Sequence, residues 1–358
     1  MQTETHAPTE TQATENATYV FRLEFADEQR TYVGALELWP ADFHRAIGET
    51  AFAGFRGGRI ADFAPPWDAT RIEPVFAEGG AAAEASGFRV AIGCPNGNDV
   101  MQEFGIGYFA AAASRQRARL LQQNDWPRDK TLVYTLAAYL DDGRRPPAGR
   151  NKGLAVAAPT LHVTVGTLGR DELRVREAWD APQAGDLPVL VARSVIEQAC
   201  AEAGASPDRE IGGLLLGRLL RSEAGGVVLA ITCLVSGAGT TDATGDSVTL
   251  TPASFAKARE VAALRAAGEF VAGWHHSHPF KFCESCPLPT PPDCLAKVLF
   301  FSADDVQLME STFSQPFHVG LLSAVEPRLT ATLGHLPARL FGWRRGEVVS
   351  RGFEVASD

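Results

Sequence analysis

This chain of 358 residues has little of what marks several special classes of protein. Six cysteines are too few for a disulfide scaffold, and no apolar run approaches the roughly 20 residues of a membrane-spanning helix. Lys+Arg 33 against Asp+Glu 43 gives a net charge of −10, which argues against non-specific binding to nucleic acid. The first residues lack the basic and apolar regions of a signal peptide. We therefore expect a cytoplasmic protein with neither a nucleic-acid nor a membrane partner.

The remaining composition is that of an ordinary globular protein, with 45% hydrophobic and 21% charged residues. Its length suggests two domains, or one domain with large insertions. Residues 1–17 form a Thr/Glu/Gln-rich tail that we expect to be disordered. We expect an α+β domain of unknown function, for partner or substrate binding, over 18–175, and a second α/β domain over 186–354.

Local patterns predict the secondary structure of both halves. We expect helices over 104–123 and 251–268, and a strand followed by a helix in LPVLVARSVIEQACAEAG. Other segments predict strands: YVFRLEF, TYVGALELW, KTLVYTLAAYL, LHVTVGTL, REIGGLLLGRLL, GGVVLAITCLV, GEFVAGWHHSHP, AVEPRLTATLG and RLFGWRRGEVV.

One strand carries the sharpest chemical signal, GWHHSHP at 273–279. Side chains alternate between the faces of a strand, so His276 and His278 lie on one face, about 7 Å apart along the backbone. Two imidazoles placed in this way can bind one zinc ion. Alone, such a pair is more often a surface or interface feature.

Two further segments supply acidic partners. Asp305, in Ser302-x-x-Asp305, offers a third ligand, which leaves a fourth position for water as in catalytic zinc sites. Glu210, before an apolar strand, offers a base for that water. Taken singly, Ser302 and Asp305 equally indicate a helix N-terminus, and Glu210 a solvated residue at the start of a strand.

Together, E-x-G-G-x-L-L-G, G-W-x-H-S-H-P and S-x-x-D resemble the JAMM metalloproteases, the zinc-dependent members of the MPN domain superfamily, over about 188–350. The resemblance implies a JAMM/MPN mixed β-sheet sandwiched by helices over 186–354. It implies zinc ligands at His276, His278 and Asp305. It also implies an acid/base at Glu210 and an oxyanion-stabilising hydroxyl at Ser302.

The chain departs from the family's usual spacing. Residues 279–301 separate His278 from Ser302, where the family usually has seven residues. This length leaves Asp293 and Asp304 as alternative metal ligands. Asp305 is the expected ligand, because FFSADD preserves the local S-x-x-D pattern.

The insertion over 280–300 is rich in cysteine. Cys283 and Cys286 have the spacing of two thiolate ligands, and Cys294 offers a third, so a second, structural zinc is one interpretation. The fourth ligand is open among His275, Asp293, Cys233 and another cysteine. The alternative is a reduced loop without metal.

The resemblance implies a zinc-dependent isopeptidase that cleaves after the C-terminal Gly of a ubiquitin-like protein, whose tail adds as a strand beside the site. The composition leans towards a bacterial protein. By analogy with bacterial relatives, its pathway would include E1-like and E2-like partners, in anti-phage defence or sulfur transfer. The alternatives are an MPN scaffold that docks conjugation partners, and a hydrolase that releases a small group from a sulfur-carrier protein.

Overall fold

The structure is a computed structural model that describes residues 19–61, 69–76, 83–94, 97–123, 131–141, 163–168, 175–223, 225–243, 247–280, 294, 296–326 and 328–356. The predicted disordered tail lies outside these ranges. The chain divides into two compact units, residues 1–55 with 59–160 and residues 56–58 with 161–358. No helix in the described ranges is long and apolar enough to cross a membrane.

The first unit contains a six-stranded antiparallel sheet of order β2-β1-β6-β4-β3, in which β5 also pairs with β4. Its strands are β1 Tyr19–Ala26, β2 Tyr32–Leu38, β3 Thr70–Phe76, β4 Glu84–Ile92, β5 Val100–Gly105 and β6 Val133–Leu140. Its helices are α1 His44–Arg56 and α2 Ala110–Gln123. The strand predicted for YVFRLEF is confirmed as β1, where Phe21, Leu23 and Phe25 alternate into the core.

The helix predicted over 104–123 begins later than expected. Strand β5 continues to Gly105, and a 3-10 turn over Ile106–Phe109 precedes α2. Tyr108 and Phe109 are buried in this turn, and the Tyr108 hydroxyl donates to the carbonyl of Asp42 at 2.9 Å. The apolar start of this segment therefore forms the end of a strand and a buried turn. Its aromatic side chains pack into the core of the sheet instead of lining one face of a helix.

The second unit contains a ten-stranded mixed sheet of order β17-β16-β15-β14-β10-β11-β9-β18-β8, in which β7 also pairs with β10. Its strands are β7 Val165–Thr167, β8 Val175–Trp179, β9 Val189–Ala192, β10 Gly212–Arg221, β11 Val227–Ser236, β14 Phe270–His278, β15 Val319–Ala324, β16 Ala338–Arg344, β17 Glu347–Arg351 and β18 Phe353–Ala356. A separate hairpin joins β12 Thr241–Ala243 to β13 Val248–Leu250. The helices are α3 Arg193–Ala205, α4 Pro252–Arg265, α5 Ala303–Ser311 and α6 Arg328–Leu333.

The sheet of the second unit mixes parallel and antiparallel pairs. Strand β14 pairs antiparallel with β10 and parallel with β15. One face of β14 meets α3, since His275 bonds Ser323, whose hydroxyl donates to the Ala199 carbonyl. On the other face Trp274 packs in a core cluster with Ala258 of α4 and Met309 of α5. The expectation of a mixed α/β fold is confirmed.

One predicted strand is wrong. In AVEPRLTATLG, only the first residue ends β15, and Arg328–Leu333 form α6. The Glu326 carboxylate accepts hydrogen bonds from the Arg328 backbone N–H at 3.0 Å and from its guanidinium, which holds the start of the helix. Leu329 is fully buried in a cluster with Val298 and Leu322. This tertiary packing outweighs the strand propensity of the segment.

Candidate metal centre

Strand β14 places two histidines on one face, as predicted. His276 and His278 are 0% and 1% exposed, in the middle of the sheet. Their Nε2 atoms lie 3.2 Å apart. Neighbouring strands pair along both sides of the motif, so its backbone is fixed by hydrogen bonds on each side.

Sheet register brings Glu210 to the histidines. Gly212 of β10 pairs with His276, which puts Glu210 opposite His278, and side chains opposite each other lie on one face. Glu210 Oε1 lies 3.8 Å from His278 Nε2, and the residue is only 6% exposed. The ladder is completed by Ser277, whose N–H donates to the Ile211 carbonyl at 2.9 Å and whose hydroxyl accepts from the Ile211 N–H at 3.1 Å.

Helix α5 delivers the third candidate ligand from its first turn. Ser302 is the N-cap: its hydroxyl accepts from the Asp305 N–H at 3.2 Å, and its own N–H donates to Asp305 Oδ2 at 2.6 Å. This is a capping box, with aspartate in place of the usual glutamate. The second carboxylate oxygen, Oδ1, lies 3.4 Å from His276 Nε2. The cap and metal-ligand interpretations of Ser302-x-x-Asp305 are therefore compatible, because each uses a different oxygen.

The distances suit a tetrahedral ion. The ligand atoms of His276, His278 and Asp305 all lie within 4.8 Å of one another, the one such group of three among the described residues. Zinc bonds of about 2.0–2.2 Å at tetrahedral angles separate ligand atoms by about 3.3 Å. The separations of 3.2 Å and 3.4 Å from His276 Nε2 agree with that value. The residues present therefore fit a zinc ion.

The protonation states also suit a metal. Burial, and then the neighbouring His276, lower the pKa of His278 to about 4, so its imidazole is neutral at physiological pH. Burial acts to raise the pKa of Asp305, but its interactions with His276 and Ser302 outweigh burial and lower it. His278 Nδ1 lies 3.0 Å from the carbonyl of Val298, to which it must donate, so that Nε2 is the ring nitrogen that offers a lone pair to a metal. Neutral imidazoles and an ionised carboxylate are the forms that bind metal.

The other predicted ligands stand apart from this group or are not described. Cys283, Cys286 and Asp293 lie outside the described residues. Cys294 is half-buried against the cluster that holds Val298 and Leu299. His275, one candidate for a fourth ligand of a cysteine site, points to the opposite face of β14, where its Nε2 lies 2.8 Å from the Ser323 hydroxyl. Asp304 is not part of the convergent group, and Asp305 is.

Two contributors to the site were missed from the sequence. The Val298 carbonyl is a backbone group that any residue could supply, so no sequence signal marks it. Trp274 stacks on the His276 ring with a centroid separation of 4.4 Å. The alternation that placed His276 and His278 on one face puts Trp274 there too, so this contact was available from GWHHSHP itself.

Comparison with known proteins leaves the family open. No protein-family model matches the chain, and no curated protein matches it either. The solution structure of protein DSY2949 from Desulfitobacterium hafniense is similar to part of the chain at 18% identity. The match covers 48% of this chain and 92% of that one, with a TM-score of 0.30. A similarity at this level indicates nothing about function. Function is therefore inferred from the geometry of the site.

Proposed function

We propose that the second unit is a zinc-dependent isopeptidase of the JAMM type, which cleaves after the C-terminal Gly of a ubiquitin-like protein. The observation that carries the proposal is the convergence of His276, His278 and Asp305, with Glu210 beside them. Four residues from three separate segments, predicted in these roles, meet in one buried group. The ordered motifs that resemble JAMM proteases supply the substrate class.

His276, His278 and Asp305 are the residues that would hold a zinc ion, and a bound zinc would supply Lewis-acid activation of the scissile carbonyl and of the attacking water. Glu210 would take the proton of that water and pass it to the leaving amine. Because the Ser302 hydroxyl accepts from the Asp305 N–H, its own hydrogen stays available to an oxyanion at the same site. This chemistry needs no nucleophilic side chain, and it accommodates a peptide or an isopeptide amine equally.

The test is cleavage of a ubiquitin-like precursor that carries a reporter after its terminal Gly. The wild type would be compared with Glu210→Gln, which keeps the size of the side chain and removes the base. The matched control is Glu269→Gln. Glu269 immediately precedes β14, its side chain is 1% exposed, and its carboxylate is paired with Arg265.

We expect Glu210→Gln to lower the cleavage rate by at least about 100-fold, since general base catalysis contributes that much. Chelation should lower the rate at least about 100-fold as well, because it removes the Lewis acid. Glu269→Gln should keep most of the rate. A zinc-loaded wild type that cleaves none of several ubiquitin-like precursors and isopeptide conjugates would contradict the substrate class. Full activity of Glu210→Gln would contradict the role of that residue.

A further inference from the structure

The two histidines of the candidate metal centre are oriented by different means. His278 Nδ1 is anchored at 3.0 Å to the Val298 carbonyl. His276 Nδ1 is fully buried and has no hydrogen-bond partner within the described ranges. Histidine ligands of metals nearly always donate their second ring N–H to a carbonyl, a carboxylate or water, which fixes the ring. The orientation of His276 must therefore come from packing.

Aromatic side chains supply that packing. The indole of Trp274 lies parallel to the His276 ring, with centroids 4.4 Å apart and planes 9° apart. Phe301 contacts the same imidazole at 5.3 Å with a tilt of 52°. Stacked on the indole, the imidazole keeps its plane, because any partial turn about its χ2 bond loses the parallel contact. In that plane His276 Nε2 lies towards His278 and Asp305.

Trp274 is itself anchored to the helix that carries Asp305. Its Nε1–H donates to the Met309 sulfur of α5 at 3.3 Å, and its ring stacks with Phe313 at 6.2 Å. The indole is 1% exposed. One side chain thus contacts the ring of the first ligand and the helix of the third, which is the arrangement needed to fix their mutual geometry.

We propose that Trp274 is a positioning residue that holds His276 in its metal-binding orientation by ring stacking. The proposal rests on the metal site of the proposed function and is independent of the substrate. A second consequence follows from the contact distance. Cobalt(II) bound to the stacked imidazole would quench the emission of Trp274, so a fall in tryptophan emission should accompany occupancy of the site.

The experiment is titration of the metal-free full-length protein with Co²⁺, followed by visible absorption and by tryptophan emission. The variants are Trp274→Leu, which removes the stack, and Trp274→Phe, which keeps an aromatic ring. Trp343→Leu is the matched control. Trp343 is buried in the same core cluster, but its indole N–H donates a hydrogen bond to the Phe313 carbonyl at 2.8 Å instead of to the Met309 sulfur. Asp305→Ala identifies the absorption bands that belong to the three-ligand site.

We expect Trp274→Leu to weaken Co²⁺ binding about 10- to 100-fold, as loss of supporting groups around metal ligands does, and Trp274→Phe and Trp343→Leu to change it by less than roughly threefold. The Co²⁺-dependent quenching should be much smaller in Trp274→Phe, because the indole stacked on His276 is gone while five other tryptophans remain. This variant tests the contact even if Trp274→Leu fails to fold.

Three results would overturn the proposal. They are wild-type affinity in a folded Trp274→Leu, an equal loss in Trp343→Leu, and quenching that is undiminished in Trp274→Phe. A wild type that binds no Co²⁺ would remove the metal site, and the proposed function with it. A wild type that binds Co²⁺ through Trp274-dependent geometry but cleaves no conjugate would refute only the substrate class.

Discussion

The first unit buries an almost wholly apolar core, whereas the second buries many polar side chains as well. In the described residues of the first unit the buried polar side chains are Asp27 and Thr50. In those of the second they are Asp186, Glu210, Ser254, His275, His276, Ser277, His278, His318, Ser323, Glu326 and Arg351. Burying such groups costs free energy unless they are paired, so their concentration in one unit demands an explanation.

Within the second unit, two buried polar clusters differ in whether their charges are balanced by neighbouring side chains. Asp186 is ringed by cations: Arg344 donates two hydrogen bonds at 2.9 Å and 2.8 Å, and the buried Arg351 lies 3.7 Å away. The opposite charges neutralise each other, as in a structural network. His276 and His278 instead present two ring nitrogens to one another beside a carboxylate. Three ligand atoms that converge in this way can hold a metal ion, so we propose this cluster, and not the one around Asp186, as the functional one.

The largest effect on stability should come from the apolar core of the first unit. Phe88 is fully buried, and its ring contacts Phe43 at 4.9 Å and Tyr108 at 5.1 Å. Phe88→Ala should lower the free energy of unfolding of this unit by about 3–5 kcal/mol, since it leaves a large cavity. Hydrogen exchange resolved by peptide would assign the loss to the first unit. Met101→Ala, at a 57% exposed site on the same sheet, is the control.

Zinc should stabilise the second unit and leave the first unchanged. At a free concentration 100 times its dissociation constant, a ligand that binds only the folded state adds about 2.7 kcal/mol. Hydrogen exchange with and without zinc should show this gain in β14 and α5. Asp305→Asn removes the charge and keeps a side-chain oxygen that can accept from the Ser302 N–H, so it should abolish the gain with little change in the metal-free protein. Equal protection of both units by zinc would contradict the comparison.

Acid should destabilise the second unit through its buried carboxylates. Burial acts to raise the pKa of Asp186, but the hydrogen bonds of Arg344 and the charge of Arg351 outweigh burial and hold it below its usual value. Because the folded-state pKa is the lower one, the stabilisation is complete above the unfolded value of about 3.9 and is lost as pH falls through the folded value. Asp186→Asn should flatten the dependence of unfolding free energy on pH in this range. An unchanged slope would show that Asp186 is not the group responsible.

The sequence reveals much of the metal centre and less of its setting. Alternation along one strand predicts that His276 and His278 share a face, and S-x-x-D predicts the cap at Ser302, because both depend on neighbours within a few residues. The position of Glu210 depends on the register of β10 against β14, which no local pattern specifies. The helix at 328–333 was likewise missed, since the burial of Leu329 is a long-range contact.

The smallest effect should come from the ion pairs of the first unit. Arg22 and Glu37 lie 3.0 Å apart across β1 and β2, but their side chains are 43% and 42% exposed. Water screens such a pair and ordering both side chains costs entropy, so a double-mutant cycle of Arg22→Ala and Glu37→Ala should give a coupling of about 0.2–1 kcal/mol that falls with added salt. A salt-insensitive coupling of about 3 kcal/mol would be typical of a buried pair. It would mean that the first unit, too, depends on charges removed from water. The contrast between the units would then lie only in the convergence of His276, His278 and Asp305.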